Sequence, residues 1–181
     1  MNPANKATML RIYLVPVFVA CFYLKNLLPY MHAIACVIFI FASLTDLWDG
    51  WYARKHNLVT DFGKLMDPMA DKLLVCTAFI MLQSIGKVSA ILTIIFIARE
   101  LIISAFRLIA VEKGVVIAAG KLGKIKTATQ CIAIVLLLLD NPIFSLIGIP
   151  MDQIVLYAAG IFTVWSCAEY IIKNKGLVST K

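Results

Sequence analysis

The chain has 181 residues, of which 62% are apolar and only 15% are charged, and its formal net charge is +7. An average soluble domain has about 45–50% apolar and about 25% charged residues, and a small domain buries only about two-thirds of its surface. The composition therefore excludes a disordered chain, a coiled coil, a collagen-like chain and a basic nucleic-acid-binding arm. It predicts an integral membrane protein with one domain, residues 1–181.

Six apolar segments follow one another along the chain, each near the length of about 20 residues that a membrane-spanning helix needs. The connections between them are short and leave no room for a separate soluble domain. We therefore expect an all-α protein with six transmembrane helices. The predicted spans are Thr8–Leu27, Met31–Ala53, Met66–Ile85, Val88–Val111, Ile125–Leu139 and Asp152–Ile172.

The positive charges lie mostly on one side of these predicted spans. Lys25 and Lys87 fall on the other side, and Lys72 and Arg99 fall within spans. Short cytoplasmic loops of membrane proteins carry an excess of Lys and Arg, so both termini are expected in the cytoplasm. The cations on the predicted cytoplasmic side are Lys6, Arg11, Arg54, Lys55, Lys64, Arg107, Lys113, Lys121, Lys124, Lys126, Lys173, Lys175 and Lys181.

Four aspartates lie close together at the predicted cytoplasmic ends of the second and third spans. Asp46 and Asp49 are spaced i,i+3 and Asp67 and Asp71 are spaced i,i+4, so each pair shares one helix face. Carboxylates within a membrane are costly unless they are compensated, and two divalent cations would balance these four charges. Oxygen ligands without His or Cys favour Mg²⁺ or Mn²⁺, and such an ion pair suits phosphoryl transfer.

The aspartates also have two other interpretations. They could form a proton relay, as in a transporter, or they could form ion pairs with Arg54 or Lys72. The five cysteines lie in apolar stretches without paired spacing, and the two histidines are isolated. We therefore expect neither a disulfide framework nor a zinc site.

The segment 46–71 reads DLWDGWYARKHNLVTDFGKLMDPMAD. It resembles the signature D-x2-D-G-x2-A-R-x8-G-x3-D-x3-D of the CDP-alcohol phosphotransferase family, whose members transfer a phosphatidyl or similar group from a CDP-linked donor to an alcohol and release CMP. The resemblance implies that Asp46, Asp49 and Asp67 hold the metal ions. It implies that Asp71 completes the metal site and acts as the general base. It also implies a homodimer and a cytidine diphosphate pocket lined by Gly50, Ala53, Arg54 and Gly63.

Two further segments, Asn2–Arg11 and Arg99–Thr127, are similar to the members of this family whose acceptor is glycerol 3-phosphate. That resemblance implies that a phosphatidyl group moves from CDP-diacylglycerol to glycerol 3-phosphate, giving phosphatidylglycerol phosphate and CMP. A phosphate monoester is bound best by cations. The acceptor phosphate is expected to contact Arg99, Arg107, Lys121 and Lys126, with Asn5, Thr8, Arg11, Lys124 and Thr127 as further candidates.

Several alternatives stay open from the sequence. Arg99 could instead form a structural ion pair with Glu100 or with one of the aspartates, and the cations of 121–126 could serve only to orient the chain in the membrane. The acceptor could be phosphatidylglycerol, serine or an inositol phosphate, and a small ion-coupled transporter is the remote alternative. As an enzyme, the protein is expected in the bacterial inner membrane, with a polar active-site cavity that faces the cytoplasm and opens to lipid.

Overall fold

The computed structural model describes the backbone of residues 3–24, 30–55, 61–113, 120–142, 144–145 and 148–178. Within those residues it describes the side chains of 8–24, 30–45, 69–70, 72–111, 113, 120, 122–142, 144–145 and 148–174. This part of the chain forms six α-helices and no strand, which confirms the predicted helical class. The helices are α1 (Pro3–Tyr23), α2 (Met31–Lys55), α3 (Asp61–Ser84), α4 (Ala90–Glu112), α5 (Lys121–Leu138) and α6 (Met151–Val178).

Each helix contains most of one predicted span, but several helices extend beyond the apolar run. Helix α3 begins at Asp61 and not at Met66, and α5 begins at Lys121 and not at Ile125. A helix satisfies its backbone hydrogen bonds internally and can continue into polar sequence, whereas the prediction stopped where the apolar run stopped. The polar ends of α2, α3 and α5 carry most of the candidate site residues.

One segment, Met151–Asn174 in α6, is long and apolar enough to cross a membrane, judged by length and composition within the described residues. Shorter apolar helical stretches are Thr8–Tyr23, Met31–Thr45 and Lys72–Ser84. In α4, the charged residues Arg99, Glu100 and Arg107 interrupt the apolar sequence. The six-span arrangement therefore stays a prediction.

The chain divides into two compact units. The first comprises Met1–Ile85 with Leu138–Asp140, and the second comprises Gly86–Leu137 with Asn141–Lys181. In the first unit, α1 packs against α2 and α3, which also contact each other. The ring of Phe18 is fully buried, and its centroid lies 5.3 Å from that of Phe22 and 6.4 Å from that of Phe39. Aromatic packing thus joins α1 to α2.

In the second unit, α4 packs against α6, and α5 is joined to them through side chains. Gly160 of α6 lies where a Cβ atom would be 3.0 Å from a methyl carbon of Leu92 in α4, so a side chain at position 160 would crowd α4. Gln130 of α5 donates from Nε2 to Thr163 Oγ1 of α6 at 3.1 Å, and both residues are buried. The three helices therefore form one packed group.

Large apolar side chains are exposed along several helices. Val37 of α2, Leu101 of α4 and Ile161 of α6 are each about two-thirds exposed, at 66%, 66% and 65%. In α4, the exposed residues Ile91, Ile94, Leu101 and Leu108 recur at helical spacing. Apolar surface of this extent is typical of regions that contact lipid or another protein.

Candidate active site

The eight defined positions of the 46–71 signature lie on two contacting helices of the first unit. Both aspartate pairs fall within continuous helix, so the two members of each pair are about one turn apart along the axis. The side chains of all eight positions lie outside the described residues. These positions are Asp46, Asp49, Gly50, Ala53 and Arg54 in α2 and Gly63, Asp67 and Asp71 in α3.

The donor chemistry of these helices fits hard divalent cations, because the aspartates supply only carboxylate oxygens. Among the side chains that the structure describes, no group of three His, Cys, Asp or Glu is placed to hold a metal ion. The aspartates of α2 and α3, which are not among those side chains, stay the predicted ligands.

Helix α1 contributes polar side chains to the interior of the first unit. Thr8 is 0% exposed and Arg11 is 1% exposed. Arginine is almost never fully buried unless it is paired. A helix that served only as a membrane anchor would not need a buried arginine, so the burial of Arg11 indicates a further role for α1. Asn5, the third candidate in this segment, has a side chain outside the described residues.

Three charged side chains of the second unit meet at one carboxylate oxygen. Oε1 of Glu100 lies 3.2 Å from NH1 of Arg99, and Nζ of Lys126 contacts the same oxygen. The Lys126 side chain is only 3% exposed, and the other two side chains are about one-tenth exposed. Among the described side chains, two cations and one anion thus share a site that is nearly closed to solvent, and their formal charges sum to plus one.

Gly123 lies beside this cluster, one turn before Lys126 on α5. A Cβ atom at position 123 would lie 3.8 Å from NH2 of Arg99, in van der Waals contact. The guanidinium of Arg99 therefore packs over α5 at Gly123. Of the charged residues predicted for the acceptor, the structure brings together Arg99 and Lys126, and Glu100 links them.

The remaining acceptor candidates have different surroundings. Arg107 is half-buried, and its Nε is buried with no hydrogen-bond partner among the described residues; the same holds for Nε of Arg99. Lys124 and Thr127 are exposed, and Thr127 donates its hydroxyl to the Gly123 carbonyl at 3.1 Å. The side chain of Lys121 lies outside the described residues.

Arg99 has two interpretations from the sequence, a structural ion pair and a phosphate contact, and the structure shows the ion pair directly. Arg99 forms an ion pair with Glu100, and Glu100 also pairs with Lys126. The pair and a phosphate-binding role are compatible, because a guanidinium has five N–H donors.

Comparison with known protein families tests whether the 46–71 signature belongs to a family that extends over the rest of the chain. A family model described as CDP-alcohol phosphatidyltransferase matches residues 1–165. The chain belongs to this family.

Several curated proteins of known name are similar to this chain over nearly its whole length. A Bacillus subtilis (strain 168) protein is 44% identical over 183 residues, which is 96% of this chain and 95% of the relative. A Rickettsia felis protein is 36% identical over 170 residues, covering 93% of each chain, and a Pseudomonas fluorescens protein is 37% identical over 176 residues, covering 94% and 89%. All three are named CDP-diacylglycerol–glycerol-3-phosphate 3-phosphatidyltransferase.

Two residues of the second unit, Gln130 and Tyr170, have buried polar atoms that the sequence did not lead us to expect. Gln130 lies one turn after Lys126 on α5, and its Oε1 has no hydrogen-bond partner within the described part of the chain. Tyr170 of α6 packs edge-on against Phe106, with ring centroids 6.2 Å apart, and its buried hydroxyl has no such partner either. For Gln130, the available signal was its polar side chain inside an apolar helix, four positions after Lys126.

Proposed function

We propose that this protein transfers the phosphatidyl group of CDP-diacylglycerol to glycerol 3-phosphate, with phosphatidylglycerol phosphate and CMP as products. Family membership and the names of the relatives support the reaction. The structural observation that favours an acceptor with a phosphate group is the buried cluster of Arg99, Glu100 and Lys126, whose formal charges sum to plus one. A buried positive cluster suits an acceptor that itself carries a phosphate, whereas serine brings no such group.

The chemistry assigned to the first unit is activation of the donor. In the proposal, Asp46, Asp49 and Asp67, completed by Asp71, hold two Mg²⁺ or Mn²⁺ ions. When bound, such ions neutralise the phosphoryl oxygens at which negative charge develops. Gly50, Ala53, Arg54 and Gly63 bind the cytidine diphosphate group in this scheme.

The proposed reaction is a direct displacement at the lipid-side phosphorus. Asp71 accepts the proton of the acceptor 1-hydroxyl as its oxygen forms the new P–O bond. The P–O bond to the bridging oxygen breaks, and CMP leaves with that oxygen. A carboxylate is a weak base for an alcohol, so Asp71 acts only as the bond forms, and the expected gain is about 10²–10⁴-fold.

The chemistry assigned to the second unit is binding of the acceptor phosphate. Arg99, Arg107, Lys121 and Lys126 are the proposed ligands. The buried Nε atoms of Arg99 and Arg107, which have no hydrogen-bond partner among the described residues, support this role because a buried donor without a partner is costly. Lys124 and Thr127 of the same unit are further proposed contacts. Asn5, Thr8 and Arg11 of α1, which belongs to the first unit, are also proposed as contacts.

The proposed setting is a bacterial inner membrane that six helices cross, with both termini and the active site at the cytoplasmic side. The exposed apolar side chains of α2, α4 and α6 support contact with lipid. The asymmetric distribution of Lys and Arg supports the orientation. The proposed functional form is a homodimer, on the basis of the resemblance alone.

An acceptor panel tests the proposed function. Purified protein in detergent is incubated with CDP-diacylglycerol and Mg²⁺, and CMP release is followed with glycerol 3-phosphate, serine, inositol phosphate or phosphatidylglycerol. We expect release with glycerol 3-phosphate alone, loss of release with EDTA, and recovery when Mg²⁺ or Mn²⁺ is added in excess. Release with another acceptor contradicts the acceptor assignment, and no release from folded protein with any acceptor restores the transporter alternative.

A further inference from the structure

Glu100 lies between two of the cations proposed to bind the acceptor. Its Oε1 contacts NH1 of Arg99, its neighbour on α4, and Nζ of Lys126 on α5. The same oxygen therefore connects two helices of the second unit. Binding of an acceptor phosphate uses the cations of this cluster and does not by itself require the carboxylate.

The electrostatics give the carboxylate a specific task. Lys126 and Arg99 are like charges held close together, and their burial removes the water that would screen their repulsion. A lysine side chain also has a long flexible stem that can adopt many rotamers. Without an anion between them, the two cations would repel each other, and Lys126 would lose the contact that holds it beside Arg99.

The arrangement still leaves positive charge and donors for a ligand. The cluster keeps a formal charge of plus one, and Nε of Arg99 has no hydrogen-bond partner among the described residues. The Arg99 guanidinium packs over α5 at Gly123, where a Cβ atom would lie 3.8 Å from NH2. Glu100 thus fixes the two cations without cancelling their combined charge.

We infer that Glu100 is a positioning residue, which holds Lys126 and Arg99 in the arrangement that binds the phosphate monoester of the acceptor. Glu100 does not contact the acceptor and acts through Lys126. The inference rests on the proposed function, and it adds the residue that determines how well the acceptor is held.

Substitution Glu100→Gln tests the inference, because glutamine has nearly the same shape and no charge. Misplacement of a binding group by about 1 Å can cost on the order of 10²-fold. We expect KM for glycerol 3-phosphate to rise by about 10- to 100-fold, while KM for CDP-diacylglycerol stays within about twofold. A change that only loosens the fold would affect both substrates. Equal effects on both, or an unchanged or lower KM for glycerol 3-phosphate, overturn the inference.

The matched control is Glu169→Gln in α6. Glu169 pairs with Lys173 at i,i+4, and Lys173 is 69% exposed. Exposed pairs of this kind contribute little. We expect both KM values to match those of the wild type.

A double-mutant cycle distinguishes positioning from a purely structural role. Lys126→Met removes the cation through which Glu100 is inferred to act, so adding Glu100→Gln to that variant should raise KM for glycerol 3-phosphate far less than it does in the wild type. Fully additive effects overturn the inference. The wild-type reaction tests the proposed function separately from the role of Glu100. If the wild type releases no CMP with glycerol 3-phosphate, the proposed function is overturned. If the wild type reacts normally and Glu100→Gln has an unchanged KM for glycerol 3-phosphate, only the role of Glu100 is overturned.

Discussion

Lys126 shows how strongly a single residue in this protein depends on its neighbour. Its side chain is almost fully buried, and its ammonium contacts the carboxylate of Glu100. Removing one partner of a buried ion pair is typically strongly destabilising. At the scale of single residues, the position of the Lys126 ammonium therefore depends on its ion pair with Glu100.

Asp71 is the residue on which the proposed proton transfer depends. Substitution Asp71→Asn removes the base and one metal ligand and keeps the size of the side chain. We expect the rate of CMP release to fall by at least about 10²–10⁴-fold, while labelled CDP-diacylglycerol still binds. The control is Asp152→Asn in the first turn of α6, which should keep wild-type turnover. Substantial turnover by Asp71→Asn would contradict the assignment of the base.

Arg107 provides a test of the acceptor contacts that is independent of Glu100. Its Nε is buried and has no hydrogen-bond partner in the described part of the chain. A hydrogen bond to a charged group is worth about 1.5–3 kcal/mol, so Arg107→Ala should raise KM for glycerol 3-phosphate by about tenfold or more. Steady-state kinetics with each substrate varied in turn measure this effect.

For the Arg107 experiment, KM for CDP-diacylglycerol serves as the internal reference and should change little. Lys173→Ala is the control for loss of a cation, because that side chain is largely exposed on α6. An equal rise in both KM values of Arg107→Ala would show that Arg107 does not belong to an acceptor pocket.

At the scale of helices, the second unit depends on close contact between α4 and α6. Gly160 permits this contact, since a Cβ atom there would be 3.0 Å from a methyl carbon of Leu92. The same helices carry Arg99 and Glu100 on α4 and the Thr163 hydroxyl, which accepts a hydrogen bond from α5, on α6. Packing of the three helices therefore places the charged cluster.

Substitution Gly160→Leu tests this packing. Overpacking a tight contact typically costs about 1–3 kcal/mol, and each kcal/mol lowers the melting midpoint of a chain of this size by about 2–4 °C. Thermal unfolding in detergent should show a lower midpoint than the wild type. Ala168→Leu is the matched control, because Ala168 is an exposed position of the same helix. A midpoint equal in both variants would show that Gly160 is not required for the contact.

At the scale of the whole molecule, the charge distribution predicts a single orientation in the membrane. A variant with its five native cysteines replaced by serine can carry one new cysteine, introduced as Lys25→Cys, Ser145→Cys, Lys113→Cys or Lys175→Cys. In intact cells, a membrane-impermeant thiol reagent should label the first two variants. The last two should be labelled only after the membrane is permeabilised. The reverse pattern would contradict the orientation, and labelling of all four in intact cells would contradict the six-span prediction.

The sequence alone determined the class and the family of this protein. Its apolar runs are long enough to indicate helices by themselves, and the signature at residues 46–71 depends on residue types and spacing, which are visible without coordinates. The helix ends were less well predicted, as at Asp61 and Lys121, because a helix can continue into polar sequence where the apolar signal stops.

Only the tertiary structure decided which polar residues of different helices meet. Glu100 and Lys126 are 26 positions apart, and nothing in their local sequence selects one as the partner of the other. The same is true of Gln130 with Thr163, and of Gly160 with Leu92. Helical periodicity determines which residues share a face of one helix, but the pairing of faces depends on how all the helices of a unit pack together.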